Sequence, residues 1–296
     1  MADSPLSRLP PARLVPWLLR GLWVAMPFTV GPALAEALHG ASDPVRTVAS
    51  LGLWIGWALG LAASVVPHPV SLTALRLLAP AAVAAALAAA VAGSPSALAA
   101  VWALVTAAWS FTPDVGATWV NGPAYPNERR YPLRAPGTLL AGPLLLAWAL
   151  TGAGVSAGPL LLAAGRWVAG ALASVVGLPV AWILVKSVHN LGRRWAVFVP
   201  AGMVLHDPLT LLDPVLFQRP TVVRVGPAAV GTGALDLTQR APGLALEMAL
   251  REDVSFTLLV PGKRDGRTAT TSRFLFTPTR PGAVLDEARR RRLPVS

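Results

Sequence analysis

The side chains able to do acid–base or metal chemistry are few in this chain and far apart. It holds four histidines and no cysteine. His206 stands beside Asp207, with Asp213 and Asp236 further along, which invites a metal site or a proton-transfer pair. A metal site needs more convergent ligands than one histidine and scattered carboxylates. His206-Asp207-Pro208 reads more simply as a strand end entering a turn. Asp114 and Glu128 form a second candidate pair, useful to an enzyme only if they converge at the inner face of a membrane. Glu36 and His39 lie near the outer end of the first apolar segment and read as interfacial. No nucleophile elbow, phosphate loop, zinc-protease helix or dinucleotide fingerprint occurs, and disulfides and thiolate chemistry are excluded. The sequence therefore predicts no enzyme, no cofactor and no metal.

The elements around these residues are mostly apolar. Hydrophobic residues make up 54% of the chain and charged residues 13%, about half the usual charged share of a globular domain. Residues 1–194 carry 12 basic and 5 acidic side chains, whereas 195–296, a third of the length, carry 13 and 9. That step marks a change of solvent: a transmembrane helical domain over 1–194 and a cytoplasmic domain over 195–296. Six segments are apolar enough to span a bilayer, 18–29, 48–66, 77–93, 96–112, 138–153 and 167–186. Basic residues collect in alternate gaps. One side holds Arg8, Arg13, Arg20, Arg76, Arg129, Arg130, Arg134, Lys186, Arg193 and Arg194; the other holds Arg46 and Arg166. Ten against two places both ends in the cytoplasm by the positive-inside rule. Arg8 and Arg13, an apolar stretch and Ala33-Leu34-Ala35 resemble a signal peptide, but internal prolines and further spans favour a signal anchor. Twenty-three arginines beside two lysines suggest a GC-rich bacterial genome, hence a bacterial inner membrane.

Within the spans, Gly52, Gly56 and Gly60 put small residues on one helix face, the pattern that lets another backbone approach. Alanine-rich 81–92 offers little bulk and is expected in the bundle centre. Segment 154–166 reads either as an interfacial turn or as an outward extension of the last helix. No charged residue sits at the centre of a span, which argues against ion coupling. The 113–136 loop has more polar and aromatic variety than any other membrane-flanking segment. Its Trp119, Tyr125, Arg129, Arg130 and Arg134 are candidates for contact with the C-terminal domain or a partner.

After Arg194 the pattern shortens to alternating runs that read as strands: 195–199, 202–206, 214–225, 234–238, 244–250, 254–260 and 272–277. The last two flank a polar hairpin tip, Pro261-Gly262-Lys263-Arg264-Asp265-Gly266, and a helix follows from Pro281. The opening Arg194-Trp195-Ala196-Val197-Phe198-Val199-Pro200-Ala201-Gly202-Met203-Val204-Leu205-His206-Asp207-Pro208 and the closing Arg273-Phe274-Leu275-Phe276-Thr277-Pro278 resemble bacterial PH-like domains attached to membrane spans. The resemblance covers about one third of the chain and implies a mainly-β binding or assembly module with no fixed ligand. The membrane part resembles multi-pass proteins of actinobacteria, which brings no function with it.

These observations predict an α-helical polytopic bundle of about six spans with a small β domain. The expected role is that of a scaffold or accessory subunit whose β domain and 113–136 loop bind a partner protein or the inner-leaflet surface; the alternative is a transporter or lipid-handling protein. The expected partners are the lipid bilayer and a protein or a second copy, not nucleic acid. Arg193, Arg194, Arg289, Arg290, Arg291 and Arg292 are the candidates for lipid-surface contact.

Overall fold

A computed structural model describes residues 14–260 and 263–296, which divide into two compact units. Arg8, Arg13, Pro261 and Gly262 lie outside the described residues. The first unit comprises 14–122 and 148–184; the second comprises 123–147 and 185–296. The chain therefore enters the second unit twice, and the expected single boundary at 194 is replaced by an interleaved one.

In the first unit the earliest apolar segment is three short helices, α1 (Leu14–Val24), α2 (Met26–Thr29) and α3 (Gly31–Ala37). Pro27 and Pro32 cause the breaks: each lacks a donor for the preceding turn and occupies the opening of the next helix. Then come α4 (Asp43–Val65), α5 (Pro69–Val91), α6 (Ala97–Ser110) and α7 (Pro113–Asn121). A short α8 (Gly137–Leu140) precedes α9 (Pro143–Ala163) and α10 (Trp167–Gly192). Four helices, α4, α5, α9 and α10, are long and apolar enough to cross a membrane. The α6–α7 pair, bent by 55°, is a fifth if it forms one span. Residues 154–163 belong to α9, so the expected interfacial turn is instead a helical extension of the fifth apolar segment, and Arg166 falls in the turn before α10.

Indole N–H groups lace the first unit. Trp23 and Trp57 each donate Nε1–H to the other's carbonyl, at 2.8 and 3.0 Å, and Trp102 donates to Leu22 O at 2.9 Å. Two arginines, Arg20 and Arg76, sit at helix C-termini, where unpaired carbonyls favour a cation. Arg20 donates to Ser64 O (3.1 Å) and Val65 O (3.2 Å) at the end of α4. Arg76 donates Nε–H to Ser110 O at the end of α6 and covers the Phe111 ring. The glycine series divides. A Cβ on Gly60 would fall inside the Trp23 indole, one on Gly56 would meet Leu78 at an ordinary 3.9 Å, and one on Gly52 would meet nothing. The tighter approach is between α9 and α10, where a Cβ on Gly154 would come 2.5 Å from Gly177 O and one on Gly158 would overlap Ser174. Ala86 and Ala89 pack with Val30, Ala33, Ala99 and Ala103. Leu87 and Val91 of the same stretch are exposed, so only one face of the alanine-rich stretch is packed and the expected place at the bundle centre is not met.

The second unit holds two four-stranded sheets and a closing helix. β1 (Arg129–Pro132), β2 (Trp195–Val199), β3 (Gly202–His206) and β4 (Val215–Gln218) form one sheet in that order. β5 (Val222–Pro227), β6 (Leu235–Asp236), β7 (Leu246–Val260) and β8 (Lys263–Phe276) form the other in the order β5-β7-β8-β6, and α11 (Pro281–Arg290) follows. The expected strand 214–225 is split by a 3-10 turn at Arg219–Thr221, where Pro220 interrupts pairing. Phe198, Phe217, Phe256, Phe274 and Phe276 are fully buried between the sheets, and Val284 and Ala288 of α11 close the core.

Candidate functional site

The 113–136 loop is not a free surface loop. Its first part is α7, capped by the Thr112 hydroxyl accepting from Val115 N–H. Trp119 is fully buried and donates Nε1–H to Ala63 O at 2.9 Å, so it anchors α7 inside the helical unit and is not available to a partner. Its second part supplies β1, which pairs antiparallel with β2 (Arg130 opposite Val197, Tyr131 opposite Ala196). Past β1, Leu133 N–H donates to Arg194 O at 2.9 Å, Arg134 N–H to Thr277 O at 2.8 Å, and Thr279 N–H to Pro132 O at 2.8 Å. The loop thus contacts the β unit as a structural strand of it.

Side chains lock this insertion. Arg130 donates Nε–H to Glu128 Oε1 at 2.7 Å and lies 5.3 Å over the Trp195 ring, which stacks on His206. Arg194 is buried and grips Asp207 through two bonds of 2.7 Å, while its Nη1 donates to Arg134 O at 2.7 Å. Arg194 is therefore unavailable to lipid, contrary to its expected place among the surface arginines. Tyr131 meets Phe198 edge-on at 5.6 Å and donates its hydroxyl to Glu287 Oε2 at 3.4 Å. The Arg134 guanidinium packs against Gly243, whose φ of +109° suits glycine.

What stays exposed is a smaller set: Tyr125, Arg129, Arg193, Arg289, Arg290 and Arg292. Of these, Arg289 pairs with Asp286 at 2.8 Å and Arg290 with Glu287 at 2.5 Å, while Arg291 is half-buried on Glu287 at 2.7 Å. The arginine run on α11 consequently presents less net charge than its sequence implies.

The candidate catalytic residues disperse. Asp207 is consumed by Arg194, Glu128 by Arg130, and Asp236 accepts from Thr238 N–H at 2.8 Å. His206 has a buried Nε2 without a partner. Burial and the nearby Arg193 and Arg130 push its pKa down, and the opposing Asp207 charge does not reverse this. Among the described residues no group of three or more His, Asp or Glu could hold a metal ion.

Two networks escaped the sequence. Arg194–Asp207 was recoverable from hairpin register, because pairing Trp195 with His206 sets Arg194 opposite Asp207. The other is Glu247, fully buried on β7. It accepts from Arg273 Nη2 at 2.8 Å, Arg224 Nη2 at 3.1 Å and Thr232 Oγ1 at 2.8 Å, joining β5, β7, β8 and the loop before β6. Burial raises the Glu247 pKa, but the hydrogen bonds from Arg273, Thr232 and Arg224 outweigh it and hold the group below its ordinary value. A carboxyl depressed on folding stabilises the fold fully above its unfolded pKa and loses that contribution as pH falls through the folded one. The urea midpoint of the β unit should accordingly drop as pH is lowered from neutral to below about 4.5. Glu247→Gln should flatten that segment of the pH profile; an unchanged profile would remove Glu247 as its source.

No known family model matches the chain, and neither a curated protein nor a solved structure is significantly similar to it.

Proposed function

We propose that this chain is an integral scaffold or accessory subunit of a bacterial inner membrane, with both termini cytoplasmic, whose PH-like β unit docks a partner protein. In this reading α1–α3 act as one interrupted span. From Leu14 to Ala37 they would reach about 36 Å if straight, enough for the hydrocarbon core. With α4, α5, the bent α6–α7 pair, α9 and α10 this gives six spans. The order of two sheets followed by one helix supports the PH-like assignment, and the ten-to-two distribution of basic residues supports the orientation.

One observation carries the docking role. The β unit is covalently continuous with the helices at β1 and again at β2, because β1 is drawn from between α7 and α9. Pairing with β2 orders the chain beside β1 before a partner arrives, and a preordered recognition surface lowers the entropy cost of binding. Tyr125 just before β1 and Arg129 at its first residue are the exposed aromatic and basic pair that suits a protein contact.

The test is affinity purification of the full chain from native membranes beside the variant Tyr125→Ala/Arg129→Glu, which leaves the core side chains intact. A partner protein recovered with the parent and reduced about tenfold in the variant supports docking. An identical set of proteins, or lipid alone, sinks it and favours the alternative role in transport or lipid handling. That alternative draws on the 55° bend between α6 and α7 with Arg76 at the break.

A further inference from the structure

Two hydrogen-bond donors beside the bend between α6 and α7 find no acceptor among the described residues. Trp148, in the early part of α9, meets Phe111 edge-on at 5.4 Å, and its Nε1–H is buried without a partner. Five other indoles of the helical unit, those of Trp23, Trp57, Trp102, Trp109 and Trp119, donate to backbone carbonyls. Trp148 is thus the exception in a unit that otherwise uses its buried indole donors. Arg76 of α5 lies 5.5 Å from the same Phe111 ring. Its Nε–H goes to Ser110 O, and its Nη2 lies against α7, where a Cβ on Gly116 would come 3.0 Å from it. Among the described residues no carboxylate or carbonyl accepts from either Nη, and the guanidinium is half-buried. Both donors therefore stand around one aromatic ring. Unmet donors are costly at membrane depth, where no bulk water replaces the missing acceptor.

We propose that this bend holds one glycerophospholipid, its phosphate on the Arg76 guanidinium and an acyl ester carbonyl on the Trp148 indole. The donors select the ligand. A guanidinium without a carboxylate partner suits a phosphate anion. A neutral N–H beside aromatic surface suits a neutral carbonyl, and in a glycerophospholipid a short glycerol link joins the two acceptors. Depth agrees with this chemistry. Arg76 sits about 10 Å and Trp148 about 8 Å along their helices from the N-terminal ends, and helical side chains lean back toward those ends. That is where the glycerol esters and phosphates border the hydrocarbon core. The Arg76–Ser110 bond and the Phe111–Trp148 contact bring the start of α5, the end of α6 and the start of α9 to the same face. This site rests on α5 and α9 crossing the membrane; it goes beyond the docking role and does not require it.

Native mass spectrometry of the full chain, delipidated in detergent and offered defined lipids, tests the site. Dioleoyl phosphatidylglycerol should stay bound as one copy per chain after collisional activation strips looser lipid. Its dialkyl ether analogue, which lacks the ester carbonyls, should be retained about tenfold less, matching one buried hydrogen bond. Trp148→Phe should hold the diester lipid less well by the same factor and no longer distinguish diester from diether. Arg76→Gln should likewise lose the preference for phosphatidylglycerol over dioleoylglycerol, which keeps the esters and lacks the phosphate. Each comparison is made within one variant, so a general loosening of the bundle does not imitate it. Arg166→Gln, in the turn between α9 and α10, should retain lipid as the parent does. No retained lipid, equal retention of diester and diether by the parent, or an unaltered preference in either variant overturns the proposal. Displacement of the lipid by inorganic phosphate or oleate at equal concentration also overturns it and reassigns the site to a free anion. Partner capture in the Tyr125→Ala/Arg129→Glu comparison reads the docking role separately, so either inference can fail alone.

Discussion

Residues 194–296 expressed alone should fail to fold cooperatively, and supplying 124–136, either fused ahead of Arg194 through a Gly/Ser linker or added as a peptide, should restore the fold. The isolated segment contains seven of the eight strands and α11, so by length and pattern it looks like a complete domain. What it lacks is β1, and with it the burial of Leu133 and Tyr131 in the core. Removing two side chains of this size costs about 2–3 kcal/mol each, before the three backbone bonds to Arg194, Thr277 and Thr279 are counted. A domain of this size is stable by only about 5–15 kcal/mol, so the loss is of the same order as the whole. It would also expose the β2 edge, inviting aggregation. The measurement is amide dispersion in heteronuclear NMR spectra and the urea midpoint, with and without 124–136. A fragment that unfolds cooperatively alone, at the midpoint of the fused form, would reduce β1 to an accessory strand. Leu133→Ala in the fused form should lower its midpoint by an amount worth about 2–3 kcal/mol.

That β1 went unseen in the sequence has a physical reason. Arg129–Pro132 is four residues long and begins with two arginines, too short for alternation to register. Its partner strand is more than sixty residues away, so only tertiary pairing defines it. By contrast β2 and β3 were legible to the residue, because strong alternation flanks a Pro-Ala-Gly turn. Local punctuation misled in both directions. Pro27 and Pro32 interrupt the first apolar segment, which continues past each as a new short helix. Arg251-Glu252-Asp253 falls in the gap between the expected strands 244–250 and 254–260 but lies within the continuous β7, its side chains solvated and its pairing with β8 shifted there by a bulge. Thr151-Gly152-Ala153-Gly154 reads as a helix end yet sits mid-helix, since Gly154 serves approach to α10 and not chain reversal. The Gly52–Gly60 series shows the same limit: spacing identifies a small face, and only the fold reveals that Trp23 fills it at Gly60 alone. Of the candidate contact residues, Arg130, lying over Trp195, and Arg134, packed against Gly243, were absorbed into the domain, whereas Tyr125 and Arg129 stay exposed.

Asp207→Ala should be the most damaging single change in the β unit, lowering its stability by about 3–5 kcal/mol, because it strands a buried guanidinium. Arg194 and Asp207 each keep about 1% of side-chain exposure, and the carboxylate satisfies Arg194 Nε and Nη2 together. Without it the guanidinium retains only its bond to Arg134 O, with no water to replace the others. Asp207 Oδ1 also accepts from Leu209 N–H at 3.1 Å, so the turn that carries the chain away from β3 loosens as well. The pair matters through what it joins. Arg194 is the residue before β2, its carbonyl receives Leu133 N–H and its side chain holds Arg134 O, so it fastens the chain where it leaves β1. Replacing both partners, Arg194→Met with Asp207→Leu, should recover most of the loss, since an apolar pair of similar volume carries no uncompensated charge. Urea midpoints of the fused domain for Arg194→Met, Asp207→Leu and the double form a thermodynamic cycle. A coupling energy near zero would mean that the pair is bystander to the fold; a double variant as unstable as Asp207→Ala would mean that Arg194 acts chiefly through its bond to Arg134 and the seating of β1.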